Sequence, residues 1–223
     1  AKELTALQEN PVLLEDAFYQ LLPFGTGGMR GELGVGTNRM NIYTVRLAAH
    51  GLAQHVVKNG EQSCGVVIAY DTRHFSKEFA VEAARVLGAY GVKSYVFSEA
   101  RPTPQLSFAV RHYHAFAGVV ITASHNPAKY NGYKAYGADG TQLGLKEADF
   151  VLSIMQSVDI FDGVNTMDFE TALTQPHKSD FWFALIFAYF DGQGSLDEKI
   201  FSTSFDKDIV KNLIKFDFIA MGK

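Results

Sequence analysis

Between Gly65 and Tyr136 the sequence alternates short, wholly apolar runs with longer amphipathic ones, and this constrains the fold more than any other feature. Gly65–Tyr70 (GVVIAY) reads as a buried strand. Ser76 is placed to cap a helix that turns Phe79, Ala80, Ala83, Val86 and Leu87 inward and stops at Gly91. Val92–Phe97 reads as a second strand, and Arg101-Pro102-Thr103-Pro104 breaks the chain and starts a helix near Pro104. Phe116–Thr122 (FAGVVIT) is another apolar strand, and Gly132–Tyr136 a short one ahead of an Asp139-Gly140 turn. Strands separated by helical stretches predict an α/β layered fold, a mixed or parallel sheet flanked by helices with right-handed crossovers. In such folds ligands gather beyond the carboxyl ends of the strands.

On the N-terminal side, Asn10 caps a helix with Pro11 at its first position and Leu14, Phe18, Leu21 and Leu22 on one face. Pro23–Asn41 carries six glycines and no sustained periodicity, and reads as a long loop. Asn41 then caps an amphipathic helix in which Ile42, Val45, Ala49, Leu52 and Val56 step by three and four until Gly60. Beyond Gly144 the pattern weakens. Lys146–Val158 is helical by its spacing of Val151, Ile154, Met155 and Val158. Asp159–Asp180 is mixed and polar, and Phe181–Phe190 (FWFALIFAYF) reads as a buried helix. The chain therefore divides into an α/β domain over 1–145 and a short C-terminal segment over 146–223, a helical remainder or a partial second domain.

Charge and composition narrow the partners. A formal charge of −4 over 223 residues argues against broad nucleic-acid binding, which needs a basic stripe. No apolar run reaches the roughly 18–20 residues needed to cross a bilayer, so no membrane partner is expected. Cys64 is the single cysteine and has no partner for an intrachain disulfide, which suits a reducing compartment. The N-terminal AKELTALQEN has neither a basic region nor an apolar core like those of a signal peptide, and the expected location is cytoplasmic.

Chemistry concentrates in Ile121–Tyr136 (ITASHNPAKYNGYKAY). An apolar strand ends at Thr122 and delivers Ser124, His125 and Asn126 into a loop, where the sheet fixes the backbone and the loop exposes the side chains. Ser124 offers a hydroxyl able to accept a phosphoryl group, His125 and Asn126 offer donors, and Lys134 adds a cation. Ser, Asn and Pro are also ordinary turn residues, so turn chemistry alone is the competing explanation. A serine-hydrolase reading is weaker, because the nucleophile elbow G-x-S-x-G is absent. In Phe24–Gly31 (FGTGGMRG) the backbone amides and the Thr26 hydroxyl could wrap an anion that Arg30 clamps. A tightly turning connector explains the same glycines.

Three stretches together carry a resemblance. FGTGGMRG, YDTR at Tyr70–Arg73, and TASHNPAKYNGYK at Thr122–Lys134 resemble the first domain of the α-D-phosphohexomutases, over roughly Glu15–Leu143. The run AFYQLLPFGTGGMRGELGVGTNRMNIYTVRLAAHGLAQ is most similar to the phosphoglucomutase/phosphopentomutase branch. The resemblance implies a mutase that moves a phosphoryl group between the 1- and 6-hydroxyls of a hexose through a hexose 1,6-bisphosphate. It implies that Ser124 is the phosphorylated serine, that His125 and Asn126 position it, and that Lys134 transfers a proton or stabilises charge. Arg30 would face the transferred group, with Thr26, Gly27 and Asn126 binding phosphate or substrate, while Arg73 would support loop geometry. Mg²⁺ is the implied cofactor, with one ligand an oxygen of phosphorylated Ser124.

The family's D-G-D-x-D-R metal loop is not matched: Asp139-Gly140, Asp162-Gly163 and Asp191-Gly192 continue as Thr141, Val164 and Gln193. Its sugar-recognition and distal phosphate loops are not matched either. Further mutase domains are therefore expected as partners alongside a small sugar phosphate. A non-catalytic sugar-phosphate-binding or regulatory fragment of the same family is the alternative.

Overall fold

Three parallel strands of near-uniform apolarity form the centre of the molecule: β2 (Val66–Tyr70), β3 (Ser94–Phe97) and β4 (Ala117–Ile121). Every residue of these strands is buried. Such continuous burial is what a sheet covered on both faces requires. In this computed structural model the described residues are 2–168 and, as backbone only, 183–190 and 196–200. Two antiparallel strands extend the sheet on one side, β5 (Tyr130–Gly137) against β4 and β1 (Met29–Glu32) against β5. On the other side β6 (Phe183–Phe190) runs parallel to β3 and β7 (Leu196–Ile200) antiparallel to β6, giving the order β1-β5-β4-β2-β3-β6-β7. The sheet is thus mixed, as expected.

Helices cover both faces. One face packs on α3 (Ile42–Lys58), α4 (Ser76–Ala89) and α6 (Leu145–Ser157), with Val45, Leu52, Ala83 and Leu87 meeting Val66, Ile68 and Ile121. The other packs on α5 (Thr103–His112), where Leu106 and Val110 meet Val67, Ala69 and Val120. Alternate residues of β2 and β4 thus feed opposite cores, the period-two pattern of a pleated strand. α6 lies beyond the expected boundary at 145, yet it packs on α3 through the buried Val151 and Met155. Among the described residues no helix is long and apolar enough to cross a membrane.

Several local expectations are corrected. Phe183–Phe190 is a strand rather than a helix, so the remainder is not simply helical. A short apolar run has no periodicity to separate the two, and this length suits a strand. The glycine-rich stretch expected to be loop contains β1, an edge strand whose partner lies about a hundred positions later. α2 (Pro11–Phe18) is capped by Asn10, whose side chain accepts from Leu13 N, but it buries Ala17 while Phe18 stays exposed. α4 starts one residue earlier than Ser76 suggests: Phe75, in left-handed backbone at φ 63°, is the capping position. Ser76 Oγ instead donates to Asp71 Oδ1 at 2.7 Å.

Candidate active site

Parallel pairing puts Tyr70 of β2 beside Ile121 of β4, so the loops that follow the two strands emerge together. The loop after β4 holds Ser124 and His125, both exposed, with Asn126 half-buried. Ser124 has φ 56°, in the left-handed region. That conformation is unfavourable for a residue with a Cβ and persists only where surroundings enforce it. The Ser124 amide donates to Thr122 Oγ1 at 2.9 Å, and the Asn126 amide to Ala123 O at 3.1 Å, closing a tight turn. Ser124 Oγ lies 3.4 Å from His125 Nδ1, within polar contact but long for a hydrogen bond.

Arg30 reaches this loop from β1. Its Nη1 donates to Asn126 Oδ1 at 3.0 Å, joining residues 96 positions apart. The strand register permits this, because Arg30 lies opposite Gly132 on β5 while β5 pairs with β4. Of the residues singled out from sequence, Ser124, His125, Asn126 and Arg30 therefore form one connected group. Lys134 lies half-buried on β5, opposite Val120 of β4. Among the described residues neither Lys134 nor Thr26 makes a hydrogen bond or ion pair to the Ser124 loop.

The glycine turn behaves differently from an open cradle. The amides of Gly25 and Gly28 donate to each other's carbonyls at 2.9 and 2.8 Å, so two of its N–H groups are spent on the turn. Thr26 is exposed at the tip, and Gly27 follows with φ 82°, a value that a type II turn assigns to glycine. A Cβ on Gly28 would sit 1.9 Å from Tyr133 O and 2.8 Å from Lys134 Cα. The glycines thus let the turn lie flat against β5 beside Lys134.

Arg73, expected to support loop geometry, has the densest set of contacts at this end of the sheet. Its Nη1 donates to Pro127 O at 3.0 Å and Tyr130 O at 3.1 Å, and its Nη2 to Ser124 O at 2.7 Å and Asn126 O at 2.6 Å. Nε lies 3.5 Å from Asp71 Oδ2. Beneath it, buried Asn131 donates to His74 O and Ser76 Oγ at 2.9 Å each and accepts from Gly132 N at 2.7 Å. Asn131 has no separate prominence in the sequence. For Arg73 the available signal is the strand-end rule applied to β2 as well as β4, since parallel neighbours finish at the same edge.

At the rim, Lys129 Nζ pairs with Glu32 Oε1 at 2.5 Å, which holds the Glu32 carboxyl below its ordinary pKa. Tyr133 is fully buried beside Phe24, and burial pushes its phenol upward. No group of three or more His, Cys, Asp or Glu comes together among the described residues to hold a metal ion. These residues do not by themselves make a complete Mg²⁺ site, which needs several oxygen ligands.

A family model described as "Phosphoglucomutase/phosphomannomutase, alpha/beta/alpha domain I" matches residues 22–160. The chain is 46% identical over 145 residues to a phosphoglucomutase of Staphylococcus haemolyticus, a match covering 65% of this chain and 26% of that protein. It is 51% identical over 122 residues to a phosphoglucomutase of Staphylococcus epidermidis, covering 55% of this chain and 22% of the relative. Among solved structures, a "putative phosphomannomutase" from Thermus thermophilus superposes with a TM-score of 0.58 at 30% identity, over 67% of this chain and 32% of that one. The chain spans about a quarter of the length of the curated relatives it matches. With a matching domain model over most of the described residues, the chain belongs to the phosphoglucomutase/phosphomannomutase family and carries its α/β/α domain I.

Proposed function

We propose that this chain bears the phosphoryl-carrying wall of a phosphohexomutase, which interconverts hexose 1-phosphate and hexose 6-phosphate through a phosphoserine at Ser124 and a hexose 1,6-bisphosphate. The observation that carries the reading is Ser124 itself. Its hydroxyl is exposed at the carboxyl end of β4, on left-handed backbone, in a loop that Arg30 reaches through Asn126.

In the forward half-reaction a sugar hydroxyl oxygen attacks the phosphorus on Ser124. The new sugar O–P bond forms as the Ser124 Oγ–P bond breaks, and the hydroxyl proton passes to a base. In the second half-reaction Ser124 Oγ attacks the other phosphorus of the bisphosphate: the Oγ–P bond forms as that sugar O–P bond breaks, and the freed sugar oxygen takes up a proton. Little covalent chemistry is asked of the protein, so cations and in-line positioning supply most of the catalysis. Arg30 would face the transferred oxygens, and Lys134 would move the proton or stabilise developing charge. His125, 3.4 Å from Oγ, would hold the phosphoserine with Asn126. Thr26 and Gly27 would contribute an exposed hydroxyl and an amide from the glycine turn.

Mg²⁺, when bound, would supply charge neutralisation at the phosphoryl oxygens. From this chain we assign it one oxygen of the Ser124 phosphate, with the remaining ligands coming from further mutase domains. A small sugar phosphate and those domains are the proposed partners, and the cytoplasm the proposed location. The purified chain incubated with glucose 1,6-bisphosphate is expected to gain about 80 Da, mapped to Ser124 and absent in Ser124→Ala. A gain that survives in Ser124→Ala would overturn the assignment.

A further inference from the structure

One guanidinium, that of Arg73, binds four carbonyls of the Ser124 loop. Its two NH₂ groups donate to the carbonyls of residues 124, 126, 127 and 130, so the loop is wound around one cation. The cation is itself fixed from behind. Asp71 Oδ1 accepts from the Arg73 amide at 2.9 Å and from Ser76 Oγ at 2.7 Å, while Asp71 Oδ2 faces Nε at 3.5 Å. The Arg73 side chain is only 15% exposed, so the guanidinium itself is largely withdrawn from water.

We infer that Arg73 is a positioning residue for phosphoryl transfer: it sets the left-handed conformation of Ser124 and thereby the direction in which Oγ presents its phosphate. The inference rests on the proposed phosphoserine role of Ser124. Arg73 does not act as a phosphate ligand, because both its NH₂ groups are committed to loop carbonyls and Nε faces Asp71. It acts through the backbone.

Peptide geometry makes that action directional. The peptide bonds are trans, so each N–H points opposite to the C=O of the same peptide unit. With Ser124 O drawn onto Arg73, the His125 N–H points away from the guanidinium, toward the outer side of the loop. That amide donates no hydrogen bond among the described residues, leaving it available to an anion carried on Ser124. The same pull holds Ser124 in backbone that serine otherwise avoids. Lysine cannot substitute. Its ammonium has three donors on one nitrogen, whereas four carbonyls spread over seven residues need the planar fork of arginine.

The test compares wild type, Arg73→Lys and Arg73→Ala in the purified chain, with glucose 1,6-bisphosphate as donor. Phosphate uptake at Ser124 is followed by intact mass, and backbone amides by ¹H–¹⁵N spectra. In folded Arg73→Lys the maximal uptake rate is expected to fall about 100-fold, the scale of a misplacement near 1 Å. The bisphosphate concentration giving half-maximal rate should move less than about threefold, as expected when positioning rather than binding is lost. Amide signals of the Ser124–Asn131 loop should shift while those of β2 stay in place. In Arg73→Ala, millimolar guanidinium chloride should restore part of the rate, and sodium chloride at equal ionic strength should not.

Uptake within about threefold of wild type in folded Arg73→Lys would overturn the inference. So would a loss that merely follows the unfolded fraction in thermal melts. If the wild-type chain takes up no phosphate, the phosphoserine role fails, and the spectra alone decide the clamp. Shifted loop signals in Arg73→Lys then support it, and unshifted ones refute it.

Discussion

Two loops meet at one end of the sheet, and they are held by opposite means. The Ser124 loop is fixed from inside by a charged side chain that binds its carbonyls, at the cost of a strained serine. The glycine turn is fixed from outside by fit: its own amides close it, and the missing Cβ of Gly28 lets it rest on β5. A loop held by a removable side chain can be loosened without disturbing the sheet beneath it. A turn held by close backbone approach cannot. The two should therefore fail differently, one in transfer rate and the other in stability.

The largest effect on stability is expected at Gly28→Ala. The added methyl would meet the Tyr133 carbonyl on left-handed backbone, where backbone rather than a flexible side chain has to move. Strain and overpacking together should cost on the order of 3 kcal/mol, read as a lower urea midpoint. Gly25→Ala is the internal control, since nothing lies within 4 Å of its added Cβ, and it should cost less than about 1 kcal/mol. Equal costs at the two positions would break the comparison.

Next is Asn131→Ala, under the Ser124 loop. It leaves the buried Gly132 amide without its acceptor and His74 O without this donor, for about 2 kcal/mol by the same measurement. Arg30→Ala should shift stability by less than about 0.5 kcal/mol, because the side chain is exposed. Its phosphate uptake should nevertheless fall by about 100-fold, the loss typical of one charge-stabilising donor. A large stability loss in Arg30→Ala would show that it serves the fold instead.

The smallest effect belongs to the rim pair Glu32–Lys129. Glu32 has its pKa lowered in the folded state from an ordinary 4.5, chiefly by its hydrogen bond to Lys129. Its contribution is therefore present above that pH and is lost as pH falls through the lower folded value. The difference in urea midpoint between wild type and Glu32→Gln should be constant near neutrality and vanish in acid. A difference that grows on acidification would contradict the pairing.

Legibility in the sequence followed the range of the interactions. Local signals read well: Asn10 and Asn41 cap their helices as expected, Asn41 through a reciprocal bond with Thr44. The buried strands β2 and β4 were plain from unbroken apolar runs, and Ser124 followed from the end of β4. Features set by distant partners did not read. β1 exists because β5 offers it an edge, and nothing in MRGE marks a strand. The resemblance marks Arg73 as a support for loop geometry, but its reach to four carbonyls depends on β2 and β4 finishing side by side. The close approach of the glycine turn to β5 does not read either, because a Cβ clash with a distant strand lies beyond local pattern.

The most direct test is a single turnover in the donating direction. The chain phosphorylated at Ser124 is isolated and mixed with glucose 6-phosphate. The predicted result is loss of about 80 Da from the protein with matching appearance of glucose 1,6-bisphosphate, faster than loss to water alone. Phosphate that stays on the protein, or leaves at the same rate with and without the sugar phosphate, would contradict the account.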